Sequence, residues 1–165
     1  MPNPAPNPAP TSTSDPARID PRGPRFAASL TTVVLAVVLI TGSGWLLAAQ
    51  AVVFALGALA GLGRSPYGWL YRTFVRPRLG PPSELEDAAP PRFAQGVGLV
   101  FALIGTVGYL SGATWLGLAA TGCALAAAFL NAAFGYCLGC EGYLLLRRGQ
   151  DRLRTVGAGG SGTGQ

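Results

Sequence analysis

Two long segments of this chain carry no charged side chain, and they constrain its fold more than any other feature. The first runs from Phe26 to Gly63 and the second from Phe93 to Cys140. A single helix through the first segment would be about 57 Å long at 1.5 Å per residue, which exceeds the thickness of a bilayer. Two shorter helices joined by a tight turn fit each segment better. The chain is therefore predicted to be an all-α membrane protein whose four transmembrane helices form two hairpins.

The arginines predict which side of the membrane the chain begins and ends on. The spans are predicted near residues 26–42, 45–62, 94–110 and 114–135. All twelve arginines lie before the first span, between the hairpins or after the last span, and the chain has no histidine and no lysine. Since basic residues accumulate on the cytoplasmic side, both termini and the central loop are expected in the cytoplasm. The basic charge is thus a topology signal, and no nucleic-acid binding is expected.

Composition predicts the organisation of the chain. Residues 1–18 are rich in proline and lack the features of a signal peptide, so a disordered tail is expected. The membrane domain is predicted at 19–150, with hairpin 1 at about 24–63, a cytoplasmic loop at about 64–92 and hairpin 2 at about 93–148. Residues 151–165 are expected to form a flexible tail.

The two halves of the chain resemble each other. Pro24-Arg-Phe-Ala27 precedes the first hairpin and Pro91-Arg-Phe-Ala94 precedes the second. Further pairs follow at nearly constant offsets: Trp45 with Trp115, Gly63 with Gly135, Tyr71 with Tyr143, and Arg76 with Arg148. Such self-similarity predicts a duplicated hairpin. Because both halves begin and end on the same side, a pseudo-twofold axis along the membrane normal is expected.

The loop between the hairpins carries a helical signal of its own. Ser65-Pro66 is typical of a helix N-cap followed by proline in the first turn. Apolar side chains then recur at helical spacing, at Tyr67, Leu70, Tyr71 and Phe74. The pattern predicts a short interfacial helix with its aromatic face towards the membrane, ended by Pro77. Ser83-Glu-Leu-Glu86 matches a capping box, although an acidic cluster facing water is the simpler interpretation.

The motif Cys137-Leu-Gly-Cys140, where the last span ends, is the main candidate for chemistry. Residues three apart share one face of a helix, so the two sulfurs can form a disulfide, supply half of a four-thiolate metal site, or carry a persulfide. Cytosolic thiols are kept reduced, so a structural disulfide is disfavoured and a catalytic or metal-binding role is favoured. Simple packing of two small residues at a helix end is the alternative without chemistry.

The repeat leaves two backbone geometries open at this motif. Cys137 corresponds to Ser65, the predicted N-cap of the loop helix. If the second half repeats that geometry, the chain breaks at Gly139 and a short helix starts near Cys137, where backbone amides stabilise a thiolate. If the fourth span continues instead, Cys137 lies near a helix C-terminus, which disfavours the thiolate. Glu141 also opposes a thiolate, whereas the arginines that follow favour it.

A metal site at Cys137 and Cys140 is an alternative interpretation. A closed zinc or iron–sulfur site needs four ligands, and the chain contains no histidine. A homodimer in which each protomer supplies two thiolates would meet that need. Cys123 lies about four turns earlier, too far to join the pair, and is expected to be a buried small residue.

Asn131 is the notable polar side chain in the last predicted span. Intramembrane polar groups often mark function, although an interhelical hydrogen bond is the commoner explanation. Asn131 and Glu141 are therefore supporting candidates beside the two cysteines. The sequence offers no Ser/His/Asp set, no phosphate-binding loop and no intramembrane charge, so a transporter with a charged pathway is disfavoured, and no cofactor is indicated.

Four segments of the chain resemble the DUF4395 family, a bacterial membrane family without an assigned function. They are Ile19-Asp-Pro-Arg-Gly-Pro-Arg-Phe-Ala-Ala28, Arg76-Pro-Arg-Leu-Gly-Pro-Pro82, Pro91-Arg-Phe-Ala-Gln95 and Phe129-Leu-Asn-Ala-Ala-Phe-Gly-Tyr-Cys-Leu-Gly-Cys140. The resemblance extends from about Ile19 to Arg148. It implies a small multi-span protein of the bacterial plasma membrane with its cysteine pair intact. It also implies an association with thioredoxin-like and sulfurtransferase-type proteins, but no catalytic assignment.

The function expected from these observations is thiol–disulfide exchange or sulfur handling at the cytoplasmic face. Either Cys137 or Cys140 would be the attacking thiolate, and the other would resolve the mixed disulfide. The expected partners are the lipid bilayer and a cytosolic thioredoxin-like or sulfurtransferase protein. The alternative function is that of a non-enzymatic metal-binding or assembly protein, so whether the chain is an enzyme is left open.

Overall fold

The computed structural model describes residues 18–80, 82 and 84–159, with side chains up to residue 153. Residues 1–17 of the predicted tail, the capping serine Ser83 and residues 160–165 lie outside the described residues. The protein is all-α apart from a short antiparallel pair, β1 (Arg18–Ile19) with β2 (Glu86–Asp87). The α-helices are α1 (Arg22–Thr41), α2 (Gly44–Ala55), α3 (Pro66–Leu70), α4 (Ala89–Leu110), α5 (Thr114–Phe134) and α6 (Leu138–Gly159).

Three of these helices, α1, α4 and α5, are long and apolar enough to cross a membrane. The α2 helix continues into a π-helical turn, Leu56–Ala60, and together they form a shorter apolar helix. It ends before the predicted boundary of the second span because Gly61 adopts a φ of 94°, which ordinary helical residues do not adopt. The structure thus confirms an all-α fold with three helices of membrane-spanning length.

Two tight turns join the long helices at one end of the bundle. The first turn ends α1 with Gly42 in the left-handed conformation, and the Gly42 amide donates to Val38 O at 2.7 Å. The Ser43 hydroxyl then caps α2 by accepting from the Leu46 amide at 3.3 Å. The second turn contains Gly112 with a φ of 84°. Both turns lie where the sequence predicts them.

The core is formed where α1 packs on α5 and α2 packs on α4, with α4 also against α5. Leu35, Leu47 and Ala102 are buried there. Small residues allow the close approach of α4 and α5, because a Cβ atom on Gly108 would lie 2.6 Å from the Gly117 nitrogen. Small residues play this role where lipid provides no hydrophobic drive for helices to associate.

The outer surface of the bundle is apolar. Ile40 and Leu59 are 84% and 77% exposed, and many other large apolar side chains are exposed with them. Trp45 and Trp115 follow the two turns and are 76% and 73% exposed, which is typical of aromatic residues at a membrane–water boundary. An apolar surface of this extent, with three helices of spanning length, indicates a membrane protein.

The predicted loop helix forms, but its aromatic face lies differently from the prediction. Ser65 caps α3, and helical turns continue through Tyr71–Val75 to Arg78. The Tyr67 hydroxyl donates to Gln50 Oε1 at 2.7 Å and the Tyr71 hydroxyl donates to Asp20 Oδ2 at 2.8 Å. The prediction that these tyrosines face the membrane is wrong, because their hydroxyls find acceptors on the protein.

The two hydroxyls are held in their neutral form. Burial raises the pKa of Tyr67, and its hydrogen bond to Gln50 acts in the opposite direction. Burial, followed by the hydrogen bond to Asp20 and that carboxylate's charge, raises the pKa of Tyr71 to about 12. Both tyrosines therefore stay protonated over the physiological range and fasten the loop helix to the bundle.

Candidate functional site

The backbone turns sharply between α5 and α6. Gly135 ends α5 with a φ of 70°, and its amide donates to Asn131 O at 3.0 Å. The α6 helix then begins at Leu138, so of the two geometries that the sequence leaves open, the structure has the one with a helix start near Cys137. The prediction that Gly139 breaks the chain is wrong, because Gly135 takes the left-handed conformation and Gly139 lies within α6. The helix is also longer than the short one predicted, since it extends to Gly159.

Cys137 caps α6. The Cys140 amide donates to Cys137 Sγ at 3.2 Å, and the Glu141 amide donates to the Cys137 carbonyl at 3.1 Å. The sulfurs of Cys137 and Cys140 are joined in a disulfide, with the two Cα atoms 5.2 Å apart. This separation is within the range that disulfides accommodate. The expectation that cytosolic reduction disfavours a disulfide at these positions is therefore not met by the structure.

The same capping geometry occurs at Ser65 in the first half of the chain. Its hydroxyl accepts from the Gly68 amide at 3.1 Å, and its carbonyl accepts from the Trp69 amide at 2.9 Å. The distances match those at Cys137 closely. The two helix starts differ in the capping atom, which is oxygen in Ser65 and sulfur in Cys137.

Aromatic contacts hold each of these helices to the long helix beside it. Phe26 of α1 lies against Tyr71, with ring centroids 5.9 Å apart. Phe93 of α4 lies against Tyr143 of α6 at 5.8 Å. The loop helix is thus fastened to α1 as α6 is fastened to α4.

A cavity of about 590 Å³ lies between α1, α4, α5 and α6, next to the disulfide. Its walls are mostly alanine, glycine and aromatic side chains, and Cys137 forms part of them. Cys123 also lines the cavity and is exposed. The prediction that Cys123 is buried is wrong, because this side of α5 has no helix packed tightly over it. Cys123 does not join the disulfide pair.

Two amide side chains, Asn131 and Gln95, line the same cavity. Both are partly buried, and neither side chain makes a hydrogen bond to any residue in the described part of the chain. Asn131 therefore does not form the interhelical hydrogen bond that is its commoner explanation. Gln95 is a site residue that sequence reasoning missed, although its position in the shared Pro-Arg-Phe-Ala motif is a signal that could have drawn attention to it.

Charged groups lie near the disulfide but outside the cavity. Glu141, in the first turn of α6, is exposed to solvent. The Arg25 guanidinium lies beside the turn before Cys137, because a Cβ atom on Gly135 would be 3.7 Å from Arg25 Cζ. Arg147 stacks over the Tyr143 ring at 5.9 Å. One cation near the turn and one solvated carboxylate therefore flank the disulfide.

A second cavity, of about 360 Å³, lies at the corresponding place in the first half. Ser65, Gly68 and Tyr71 line it. Gly68 is tightly enclosed, because a Cβ atom added there would overlap the carbonyl oxygen of Leu62. A cysteine cannot replace Gly68 without moving the backbone, so this half has no room for the disulfide found in the other.

The alternative metal site finds no ligand set in the described residues. No three His, Cys, Asp or Glu side chains of the described residues come together there. The two sulfurs of the predicted half-site are bonded to each other. Thiolates are the metal-binding form of cysteine, so this pair cannot ligate a metal while it is oxidised.

Gln50 is a buried polar residue of α2 that sequence reasoning also missed. It is 2% exposed, and its Nε2 atom has no partner in the described residues. The signal for it is a glutamine within an otherwise apolar predicted span. Its contact with Tyr67 couples the loop helix to the bundle core.

Comparison with models of protein families matches residues 19–148 to one family, described as a domain of unknown function, DUF4395. No curated protein and no solved structure matches the chain. The matched segment includes α1 to α5, both cysteines of the disulfide and the first half of α6. It covers most of the chain, so the protein belongs to the DUF4395 family.

Proposed function

We propose that this protein is a membrane thiol–disulfide oxidoreductase whose redox couple is Cys137 and Cys140. The observation that carries the proposal is the disulfide at the start of α6, with Cys137 as the capping residue. Cys-x-x-Cys pairs at helix N-termini favour the thiolate form, which is the nucleophile in disulfide exchange. The proposal extends to the bacterial plasma membrane as its location.

Cys137 is the nucleophile in this scheme. On reduction its sulfur becomes a thiolate at the position where it now accepts from the Cys140 amide. The first-turn amides of α6 carry partial positive charge, which stabilises a neighbouring anion. Cys140 lies one turn into the helix, where fewer free amides are available. Glu141 is solvated, so its opposing charge is screened by water.

Exchange then proceeds in two steps with a soluble partner. The Cys137 thiolate attacks one sulfur of a partner disulfide, forming a mixed disulfide and releasing a partner thiolate. The Cys140 thiolate then attacks Cys137 Sγ, which closes the disulfide seen here and releases the partner as a dithiol. Two electrons pass from the membrane protein to the partner, and the reverse sequence reduces the membrane protein. A cytosolic thioredoxin-like or sulfurtransferase protein suits this role.

The placement in the membrane is part of the proposal. Four spans are formed by α1, α2 with its π turn, α4 and α5, and both termini face the cytoplasm. The asymmetry of the arginines supports this orientation, because the two turns carry none. The disulfide would then lie at the cytoplasmic surface of the bilayer.

We also propose that the two hairpins arose by duplication. Duplication would relate α1 to α4 and α2 to α5 by a twofold rotation. That rotation converts the contact between α1 and α5 into the contact between α4 and α2, and both contacts are extensive. The same rotation relates the α3–α1 contact to the α6–α4 contact. It also pairs the capping residues Ser65 and Cys137. The redox pair would thus be a specialisation of the second half.

A defined mixed disulfide tests the proposed exchange. In a Cys123→Ser background, the Cys140→Ser variant retains Cys137 and lacks the resolving thiol. Incubation with an oxidised thioredoxin-like protein should trap a covalent complex that dithiothreitol releases. The matched Cys137→Ser variant should trap much less, because Cys140 lacks the capping position. Equal trapping by both variants, or trapping by neither, would contradict the assignment of Cys137.

A further inference from the structure

The cavity beside the disulfide has the volume of a small-molecule site and extends into the bundle, and exchange with a soluble partner protein requires neither. It has a volume of about 590 Å³, within the roughly 300–1,000 Å³ of small-molecule sites. It extends along α5 from Cys123 to Asn131, which is eight residues or about 12 Å. It therefore reaches from the disulfide into the apolar part of the bundle, where a lipid-soluble molecule has access.

The polar groups in the cavity restrict the class of ligand. The walls are mostly alanine, glycine and phenylalanine, which suit a flat apolar body. Asn131 and Gln95 have no partners in the described residues, and each offers an amide N–H group to an acceptor. A lipid acyl chain would fill the cavity but would give the two amide side chains no hydrogen-bond acceptor. A molecule with an apolar ring and carbonyl oxygens offers an apolar body to the walls and an acceptor to each amide.

We propose that this cavity binds a lipid-soluble quinone and that the Cys137–Cys140 pair exchanges electrons with it. This rests on the proposed redox function in its reverse direction, in which a reduced soluble partner supplies electrons to the pair and the quinone accepts them. The cavity wall includes Cys137 itself, so a bound ring would lie beside one residue of the couple. A membrane oxidant also accounts for a disulfide at a surface where soluble thiols would otherwise keep it reduced.

The reaction balances as a two-electron transfer. The two thiols lose two electrons and two protons, the sulfur–sulfur bond forms, and both S–H bonds are broken. The quinone gains the two electrons and two protons, and its two carbonyl oxygens become hydroxyls. Asn131 and Gln95 would donate hydrogen bonds to these oxygens and so favour the developing negative charge. They are binding residues here and need not carry protons.

The test uses the full chain in lipid nanodiscs with Cys123→Ser as background. The protein is reduced, freed of reductant and mixed with a fully substituted decyl-1,4-benzoquinone, on which thiol addition to the ring is blocked. Loss of quinone absorbance and loss of alkylatable thiols are followed together. One quinone should be reduced per cysteine pair, and the Cys137→Ser variant should reduce none.

Cavity variants connect this reaction to the site. Ala127→Phe fills the cavity and should slow quinone reduction about tenfold or more. Ala133→Phe is the matched control, since Ala133 is exposed on the same helix and is not part of the cavity wall. Asn131→Leu should raise the quinone concentration needed for half-maximal rate, and it serves as a second variant if Ala127→Phe fails to fold.

Exchange with an oxidised thioredoxin-like protein is measured on every variant to separate the two proposals. If exchange is normal but no quinone is reduced, the cavity assignment is overturned and the redox function stands. The same holds if quinone is reduced at a rate that Ala127→Phe and Asn131→Leu leave unchanged. Absence of both reactions in the parent protein would overturn both. Quinone reduction lost only in the cavity variants supports the site.

Discussion

Ser65 and Cys137, 72 residues apart, cap two helix starts with the same geometry. Each side chain accepts a hydrogen bond from the amide three residues later, at 3.1 Å for Ser65 and 3.2 Å for Cys137. The next contact is also shared, because each carbonyl accepts from the amide four residues later. One position thus carries a hydroxyl and the other a sulfur that forms a disulfide with Cys140.

The first prediction concerns Gly68, which stands where Cys140 stands in the second half. Gly68→Ala should destabilise the protein by about 1–3 kcal/mol, because its methyl group would overlap the Leu62 carbonyl. Gly96→Ala is the control, since nothing lies within 4 Å of a Cβ atom at Gly96, and it should be neutral or stabilising. Thermal unfolding in detergent, followed by tryptophan fluorescence, compares the two. Equal unfolding temperatures would contradict the close packing at Gly68.

The second prediction concerns the hydrogen bond between Tyr71 and Asp20. Tyr71→Phe should lower the free energy of unfolding by about 1 kcal/mol at pH 8, because it removes the hydroxyl that donates to Asp20. Tyr143→Phe is the control, since the Tyr143 hydroxyl makes no hydrogen bond to a described residue. A larger loss for Tyr143→Phe than for Tyr71→Phe would refute the role of this contact.

The same tyrosine gives a prediction for alkaline pH. The pKa of Tyr71 rises from 10.0 to about 12 on folding, so the fold favours its neutral form. The stability from this preference is complete below about pH 10 and is lost as the pH rises towards 12. Unfolding temperatures at pH 8, 10 and 11 should therefore fall less steeply for Tyr71→Phe than for the parent protein. Parallel curves would show that Tyr71 does not titrate in this window.

The fourth prediction concerns the reactivity of the reduced pair. At pH 7 Cys137 should react with iodoacetamide several times faster than Cys140, because it lies at the start of α6. The rates are measured in Cys140→Ser and Cys137→Ser proteins that also lack Cys123, so that each contains a single cysteine. A faster reaction at Cys140 would assign the nucleophile to the other sulfur.

The fifth prediction concerns topology. A reporter fused after Gly44 should be active outside the cytoplasm, and one fused after Arg148 should be active in the cytoplasm. The reason is that the two turns after α1 and α4 carry no arginine, whereas the loop and the terminal segments do. A further fusion, in the loop after Arg64, tests whether α2 returns to the cytoplasm. If α2 crosses the membrane, this reporter and the one after Gly44 should lie on opposite sides. A loop reporter that reads outside would mean that α2 does not cross.

Sequence reasoning predicted the parts of the fold that depend on hydropathy and on glycine. The charge-free segments predicted the long helices, and the turns at Gly42 and Gly112 lie in the predicted places. The alignment of Cys137 with Ser65 gave a helix start near Cys137 as one of two open geometries, and the structure has that one. These features are local, so the residues that cause them are close together in the chain.

The features that sequence reasoning missed depend on contacts between distant segments. The burial of Tyr71 depends on Asp20, and that of Tyr67 on Gln50, and neither pairing has a local pattern. The second span was predicted to end at 62 but ends at Ala60, because hydropathy does not reveal that Gly61 adopts a φ of 94°. The cavity likewise lies between helices that are far apart in the chain, so no local stretch of sequence predicts it.

A redox titration tests the central claim most directly. The Cys123→Ser protein in nanodiscs is equilibrated with dithiothreitol mixtures of known potential, and the Cys137–Cys140 pair is scored by alkylation and mass shift. Reversible two-electron interconversion with a midpoint above about −300 mV, where structural disulfides resist reduction, is the predicted result. A pair that stays oxidised well below that potential would contradict the account and favour a structural disulfide.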